Sequence, residues 1–171
     1  MNHSDWSKPA KWAFPLAGVA LVVVLAMVAL LSVVKAADTA TDAEFRVLID
    51  RLAVAWSNMD PDQPAPFYAK DEGLVFYDVA PFSYHGWAEY REGVKKNLFD
   101  KMTSGKLTAG KDLTVTRRGK VAWTTVTLHF SATWKAGGSM EQDLRHTAIW
   151  EKRGGKWLIV HEHVSAPLPE S

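Results

Sequence analysis

The sequence predicts an α+β domain, with helices first and a long-stranded antiparallel sheet after them, behind one apolar N-terminal segment. Three observations carry this. Ala13–Val34 runs without a charge. Apolar residues then recur at helical spacing: Phe45, Leu48, Ile49, Leu52, Trp56 and Met59. From Lys106 to Ser165 the pattern becomes strand-like runs of Val, Thr and aromatics, separated by Gly-containing turns. Helices segregated from a series of hairpin-linked strands make an α+β layout.

The N-terminal segment bears on location. As a helix, roughly 20 apolar residues span about 30 Å, the thickness of a hydrocarbon core. One reading is a signal peptide cleaved after Val34-Lys35-Ala36. The other is an uncleaved single-pass anchor, favoured by length, since signal h-regions run about 7–15 residues. Lys8 and Lys11 hold the N-terminal flank in the cytoplasm. Either way the remainder is expected on the extracytoplasmic side, in the periplasm or cell envelope, or secreted there if the segment is cleaved. No charge interrupts the segment, so it reads as a tether and the only link to a membrane. Residues 1–36 thus form the leader or anchor and residues 37–171 the domain. Without residues 1–36 the chain loses three of its 20 basic and one of its 19 acidic residues and is near neutral. That argues against nucleic acid or an anionic lipid surface as partner. The chain has no cysteine, which excludes a disulfide framework and thiol chemistry.

Each element has its own signal. Thr41-Asp42-Ala43-Glu44 reads as a capping box opening a helix over 42–58. Asp60–Pro66 breaks it. Leu74–Val79 reads as a short strand, Pro81–Gly86 as a loop, and Trp87–Lys101 as a second helix striped by Trp87, Tyr90, Val94 and Leu98. Strands are expected over 106–117, 121–134, 141–152 and 157–165. Strict alternation along the last strand puts Trp157, Ile159, His161 and His163 on one face and Leu158, Val160 and Val164 on the other. Bulk on both faces means that both are covered, one by helices and the other by a second copy of the chain.

The helix, then "FYAKDEGLVFYD", a loop ending at Gly86 before a helix, and long strands closing in "RHTAIWEKRGGKWLIVHEHVSAP" resemble the nuclear transport factor 2-like superfamily. Within it the chain resembles the SnoaL-like and ketosteroid-isomerase-like branch, over Asp42–Pro167. The signature pieces are Arg145-x-Thr147, Trp150, Gly155-x-Trp157-x-Ile159 and His163-x-Ser165. The resemblance implies a cone-shaped, cystatin-like barrel: a bent sheet curled around the first helix, an apolar pocket inside, and a homodimer formed through the outer face. It implies a small apolar molecule as ligand and, if catalytic, a cofactor-independent isomerase, cyclase or dehydratase. The alternatives are a non-catalytic binding module and an oligomerisation module like the kinase association domains of this superfamily.

The candidate catalytic residues are Asp78, His163 and Arg145. Asp78 ends a strand of apolar and aromatic neighbours, close to where the resembled isomerase has its catalytic aspartate. Burial there raises a carboxyl pKa into the range of proton shuttling. Capping of the turn at 80–83 is its other reading. The resemblance turns His163 toward the cone, with Arg145 on the neighbouring strand clamping a carboxylate or enolate. Arg145 otherwise pairs with Glu162 or Glu141. Trp56, Tyr68, Trp87, Trp123 and Ser165 are candidate ligand-binding residues; as rings, the aromatic four are equally plain core. Steroid isomerisation further needs a Tyr and a protonated Asp as oxyanion hole, yet the first helix offers Trp56 and the strand 121–134 holds no aspartate. His161 and His163 would need a third ligand from His129, His146 or Asp78 to bind a metal. No HExxH or Cys pattern supports that, and no metal is expected.

Overall fold

The computed structural model describes residues 16–79 and 81–168, with side chains from residue 26 onward except 34–38 and 40. The chain divides into two units, Met1–Thr39 and Ala40–Ser171. Among the described residues no helix is long and apolar enough to cross a membrane. The expected apolar segment, residues 13–34, lies partly outside them.

Helix α1 runs unbroken over Leu16–Ser57. The expected start at Asp42 is therefore corrected: Thr41-x-x-Glu44 lies inside a helix. No Gly or Pro separates it from the preceding "KAADTA", so nothing forces a boundary. Glu44 is engaged elsewhere and accepts a hydrogen bond from Trp157 Nε1 at 3.1 Å. Phe45, Ile49 and Leu52 form the helix's buried stripe. Beyond Ser57, Met59 takes a left-handed backbone (φ 53°), and Pro61 then prevents any resumption.

The sheet contains β1 (Val75–Tyr77), β2 (Tyr84–His85), β3 (Met102–Ala109), β4 (Thr114–Arg118), β5 (Val121–Trp134), β6 (Ser139–Arg153) and β7 (Lys156–Ser165). Helix α2, Gly86–Asn97, and a 3-10 turn at Phe99–Lys101 lie between β2 and β3. The strand order is β2-β1-β7-β6-β5-β3, with β4 also on β5. Hairpins make β5, β6 and β7 antiparallel, but β1 runs parallel to β7. The sheet is thus mixed rather than a pure meander, curved and unclosed.

The expected strand over 106–117 is two strands. Gly110 N–H reaches Thr127 O at 2.7 Å. Asp112 carboxylate oxygens then accept from Thr127 N–H (3.1 Å) and Oγ1 (2.6 Å). An aspartate standing in for a ladder partner interrupts the pairing there. Likewise Tyr84–His85, expected as loop, pairs with β1.

Inward-facing residues alternate along β5 and β6: Ala122, Thr124, Val126 and Leu128 on one, Leu144, His146, Ala148 and Trp150 on the other. Trp150 is fully buried, edge-on to Phe45 at 5.6 Å between centroids, and its Nε1 donates to Thr124 Oγ1 at 3.0 Å. The one polar atom of the ring is thereby satisfied inside the core.

A candidate active site in the cone

A cavity of about 290 Å³ opens between α1, α2 and the inner face of the sheet. Its walls are overwhelmingly apolar, with Ile49, Leu52, Trp56, Val94, Phe99, Leu128, Phe130 and Leu144 prominent. Such a volume suits a small organic molecule. The ionisable groups on the lining are Asp78, Tyr90, Lys106, His146 and Glu162, and Lys106 is an exposed side chain of β3.

One irregularity in β7 positions the site. Ile149 pairs with His161, but the next residue, Trp150, pairs with Ile159. Val160 is therefore an extra residue, a β-bulge. Before it, Trp157 and Ile159 face inward; after it, Glu162 and Val164 do. Without the bulge, period-two alternation would have carried His161 and His163 inward and Glu162 outward. The bulge is flanked by Ala69, whose N–H bonds Ile159 O at 2.9 Å, which brings Tyr68 beside Glu162.

A chain of side chains results, buried apart from partly buried Trp56. Trp56 Nε1 donates to Tyr68 Oη at 3.0 Å, and Tyr68 Oη donates to Glu162 Oε2 at 2.5 Å. Glu162 Oε1 lies 2.9 Å from His146 Nε2. His146 and Glu162 are each 2 % exposed. A carboxylate accepting from Tyr68 is matched by an Nε2–H donor, a tautomer assigned from the network. His146 Nδ1 has no hydrogen-bond partner among the described residues. With Nε2 committed to Glu162, Nδ1 is the nitrogen left for a bound molecule. Burial, reinforced by the Glu162 charge, pushes the Tyr68 hydroxyl well above the usual range, so it stays a donor.

Asp78 follows β1 on the cavity wall, half-buried, with Oδ1 accepting from Val79 N–H at 2.7 Å. Burial in apolar surroundings pushes its pKa up to about 7; Glu162 adds to this, while the Val79 bond and His146 oppose it. Tyr90 of α2 also lines the cavity, its hydroxyl held protonated by burial and the nearby carboxylates.

The sequence candidates are dispersed. Asp78 and Trp56 line the cavity. Tyr68 and Trp87 lie behind the lining, ring centroids 4.6 Å apart and stacked; Tyr68 acts through Glu162. His163, Arg145, Trp123 and Ser165 are corrected in place: all four lie on the outer face of the sheet, away from the cavity. For His163 and Ser165 the cause is the bulge. Arg145 pairs with Ser165 across the strands and alternates with inward Leu144 and His146. Trp123 alternates with buried Ala122 and Thr124 and is 40 % exposed. His161 also turns outward, its Nδ1 2.7 Å from Val75 O. Among the described residues no group of three or more His, Asp or Glu is arranged to hold a metal ion.

Glu162 and Tyr90 were not anticipated as site residues, and His146 was considered only as a possible third metal ligand. His146 was legible: "DLRHTAIW" puts it in phase with Leu144, Ala148 and Trp150. Glu162 was hidden by the bulge, which leaves no mark in residue type.

A helix cradled by a curved open sheet with an apolar cavity between them is the fold of nuclear transport factor 2-like proteins. A member of that superfamily from Salmonella enterica serovar Typhimurium superposes with a TM-score of 0.70 at 19% identity, over 78% of this chain and 95% of its own. A nuclear transport factor 2-like protein of unknown function from Pseudomonas putida gives 0.61 at 26% identity, over 77% and 89%. A hexachlorocyclohexane dehydrochlorinase gives 0.64 at 11% identity, over 75% and 86%. Among curated proteins, none matches the chain significantly by sequence. The SnoaL-like domain model matches residues 46–169, and the chain belongs to that family.

Proposed function

We propose that the domain binds a small, largely apolar molecule in this cavity and moves a proton on it without a cofactor, as an isomerase, cyclase or dehydratase does. The observation that carries this is the buried His146–Glu162 pair, with one imidazole nitrogen fixed and the other buried without a partner among the described residues, on a residue of the cavity lining. A base oriented by a buried carboxylate is the arrangement general acid–base chemistry needs. His146 Nδ1 takes the proton. Glu162 stabilises the imidazolium that forms, and Tyr68 with Trp56 holds Glu162 in place. Asp78 is a second proton-exchanging group, poised near neutrality.

The same proposal includes tethering through Ala13–Val34 with the domain extracytoplasmic, and dimerisation through the outer face. Val121, Trp123 and Ile149 are 36–40 % exposed there, an apolar strip of the kind a partner covers. Light scattering of the purified chain reads its stoichiometry directly.

The catalytic reading is tested by incubating the protein in deuterated water with a small apolar molecule first shown by calorimetry to bind it. Wild type should place deuterium in the molecule, and His146→Gln should slow this about a hundredfold or more. Equal rates would remove His146 from the chemistry.

A further inference from the structure

We infer that the molecule bound in this cavity carries a protonated nitrogen, and that Asp78 and His146 receive it. The inference rests on the cavity being the binding site. Its basis is the sign and hydrogen-bonding sense of the polar groups. Two carboxyl groups, Asp78 and Glu162, belong to the lining. Glu162 uses both oxygens, on His146 and Tyr68. Asp78 uses one, on Val79 N–H. His146 Nδ1, 2 % exposed as a residue and without a partner among the described residues, is an acceptor in the tautomer that donates through Nε2. The buried polar side of the lining therefore holds a carboxylate oxygen and an imidazole nitrogen without a partner among the described residues, and the one lysine of the lining, Lys106, is exposed. An ammonium group has donors and no acceptor, which complements this set.

The apolar walls point the same way. Trp56, Tyr90 and Phe99 present rings to the lining, and aromatic faces attract desolvated cations. A carboxylate or phosphate ligand meets the like charges of Asp78 and Glu162 on that polar side, with Lys106 exposed on β3. The occupant is thus a small amine with an apolar body.

The pH dependence follows from the groups around Asp78. Glu162 of β7 and His146 of β6 act on it electrostatically, and its charge in turn raises the hydroxyl pKa of Tyr68, of Tyr84 on β2 and of Tyr90 on α2. With Asp78 half-ionised near pH 7 in the empty site, an ammonium selects the ionised form and releases a proton on binding. Amine affinity then rises with pH through neutrality. A neutral ligand accepting from protonated Asp78 would show the opposite slope.

Calorimetry on the full chain with phenethylamine, phenethyl alcohol and phenylacetate separates these cases. The expected order is amine over alcohol by about tenfold, a difference near 1.4 kcal/mol, with no binding of phenylacetate. Amine affinity should increase between pH about 6 and about 8, around the Asp78 pKa of about 7. Asp78→Asn should erase the preference and the pH slope while alcohol binding persists. His163→Ala, on the outer face, should keep both. Alcohol binding as tightly as amine, or phenylacetate binding at all, would overturn the amine assignment and leave the cavity reading standing. Failure of all three probes would overturn both.

Discussion

The inner and outer faces of the β6–β7 hairpin carry the same kinds of residue and treat them differently. Inside, His146 and Glu162 sit 2.9 Å apart, each 2 % exposed, and Tyr68 completes the carboxylate's partners. Outside, His163 and Arg145 are exposed, and His161 is half-buried with its ring spent on Val75 O. A histidine in water is an ordinary base. One fixed by a buried carboxylate and facing a cavity is a group for which the fold has already met the cost of orientation. The difference is set by one backbone residue, Val160. Chemistry here is decided by which face a side chain reaches.

Deleting Val160 attacks the comparison at its root and should have the largest effect. Without the bulge, Glu162 turns outward and His161 and His163 turn in, stranding His146. A loss of about 4 kcal/mol or more is expected by urea denaturation, because a buried hydrogen-bonded carboxylate loses its partners and the core register is disturbed. A near-native midpoint would mean that the bulge does not set the faces.

Glu162→Ala should follow, at about 3 kcal/mol, since it leaves His146 and Tyr68 buried without their acceptor. Glu162→Gln should cost less, because an amide still accepts from the tyrosine. If both variants match wild type in denaturant, the buried chain is not structural.

Asp78→Asn sharpens the comparison through pH. In the folded chain Asp78 holds its proton up to about pH 7, whereas an unfolded aspartate loses it near pH ~3.9. Between those values the folded state binds more protons, so this group's contribution falls as pH rises. The asparagine variant should gain on wild type by about 2 kcal/mol between pH 5 and pH 8. A thermal-melt difference that is flat in pH would contradict the burial of Asp78. Smallest of all, His163→Ala and Arg145→Ala should each change stability by less than about 1 kcal/mol, as exposed strand positions do.

How much of this was legible in the sequence depends on what kind of signal each feature leaves. Strand β5 was expected over Val121–Trp134 and occupies that range, because Gly turns bracket a long run of β-formers. Family membership followed from ordered motifs and holds. Thr41–Glu44 failed as a boundary because a capping box is informative only where the preceding residues resist helix formation. The 106–117 strand failed at Asp112, whose side chain replaces a backbone partner. For the site, His146 was readable from alternation, but Glu162, His163 and Ser165 were not. Their faces depend on counting an extra residue, and a bulge at a valine does not differ in composition from a regular strand. Trp56, Tyr68 and Trp87 could be named as aromatics near a pocket. Only the folded chain separates Trp56, which lines it, from Tyr68 and Trp87 behind.

The most direct test of the central claim is native mass spectrometry of the full chain, comparing wild type with Leu144→Trp, which fills the cavity, and with His163→Ala on the opposite face. Wild type and His163→Ala should carry the same small-molecule mass. Leu144→Trp, checked for fold by circular dichroism, should carry none. A mass retained by Leu144→Trp and lost from His163→Ala would place the site on the outer face and contradict the account.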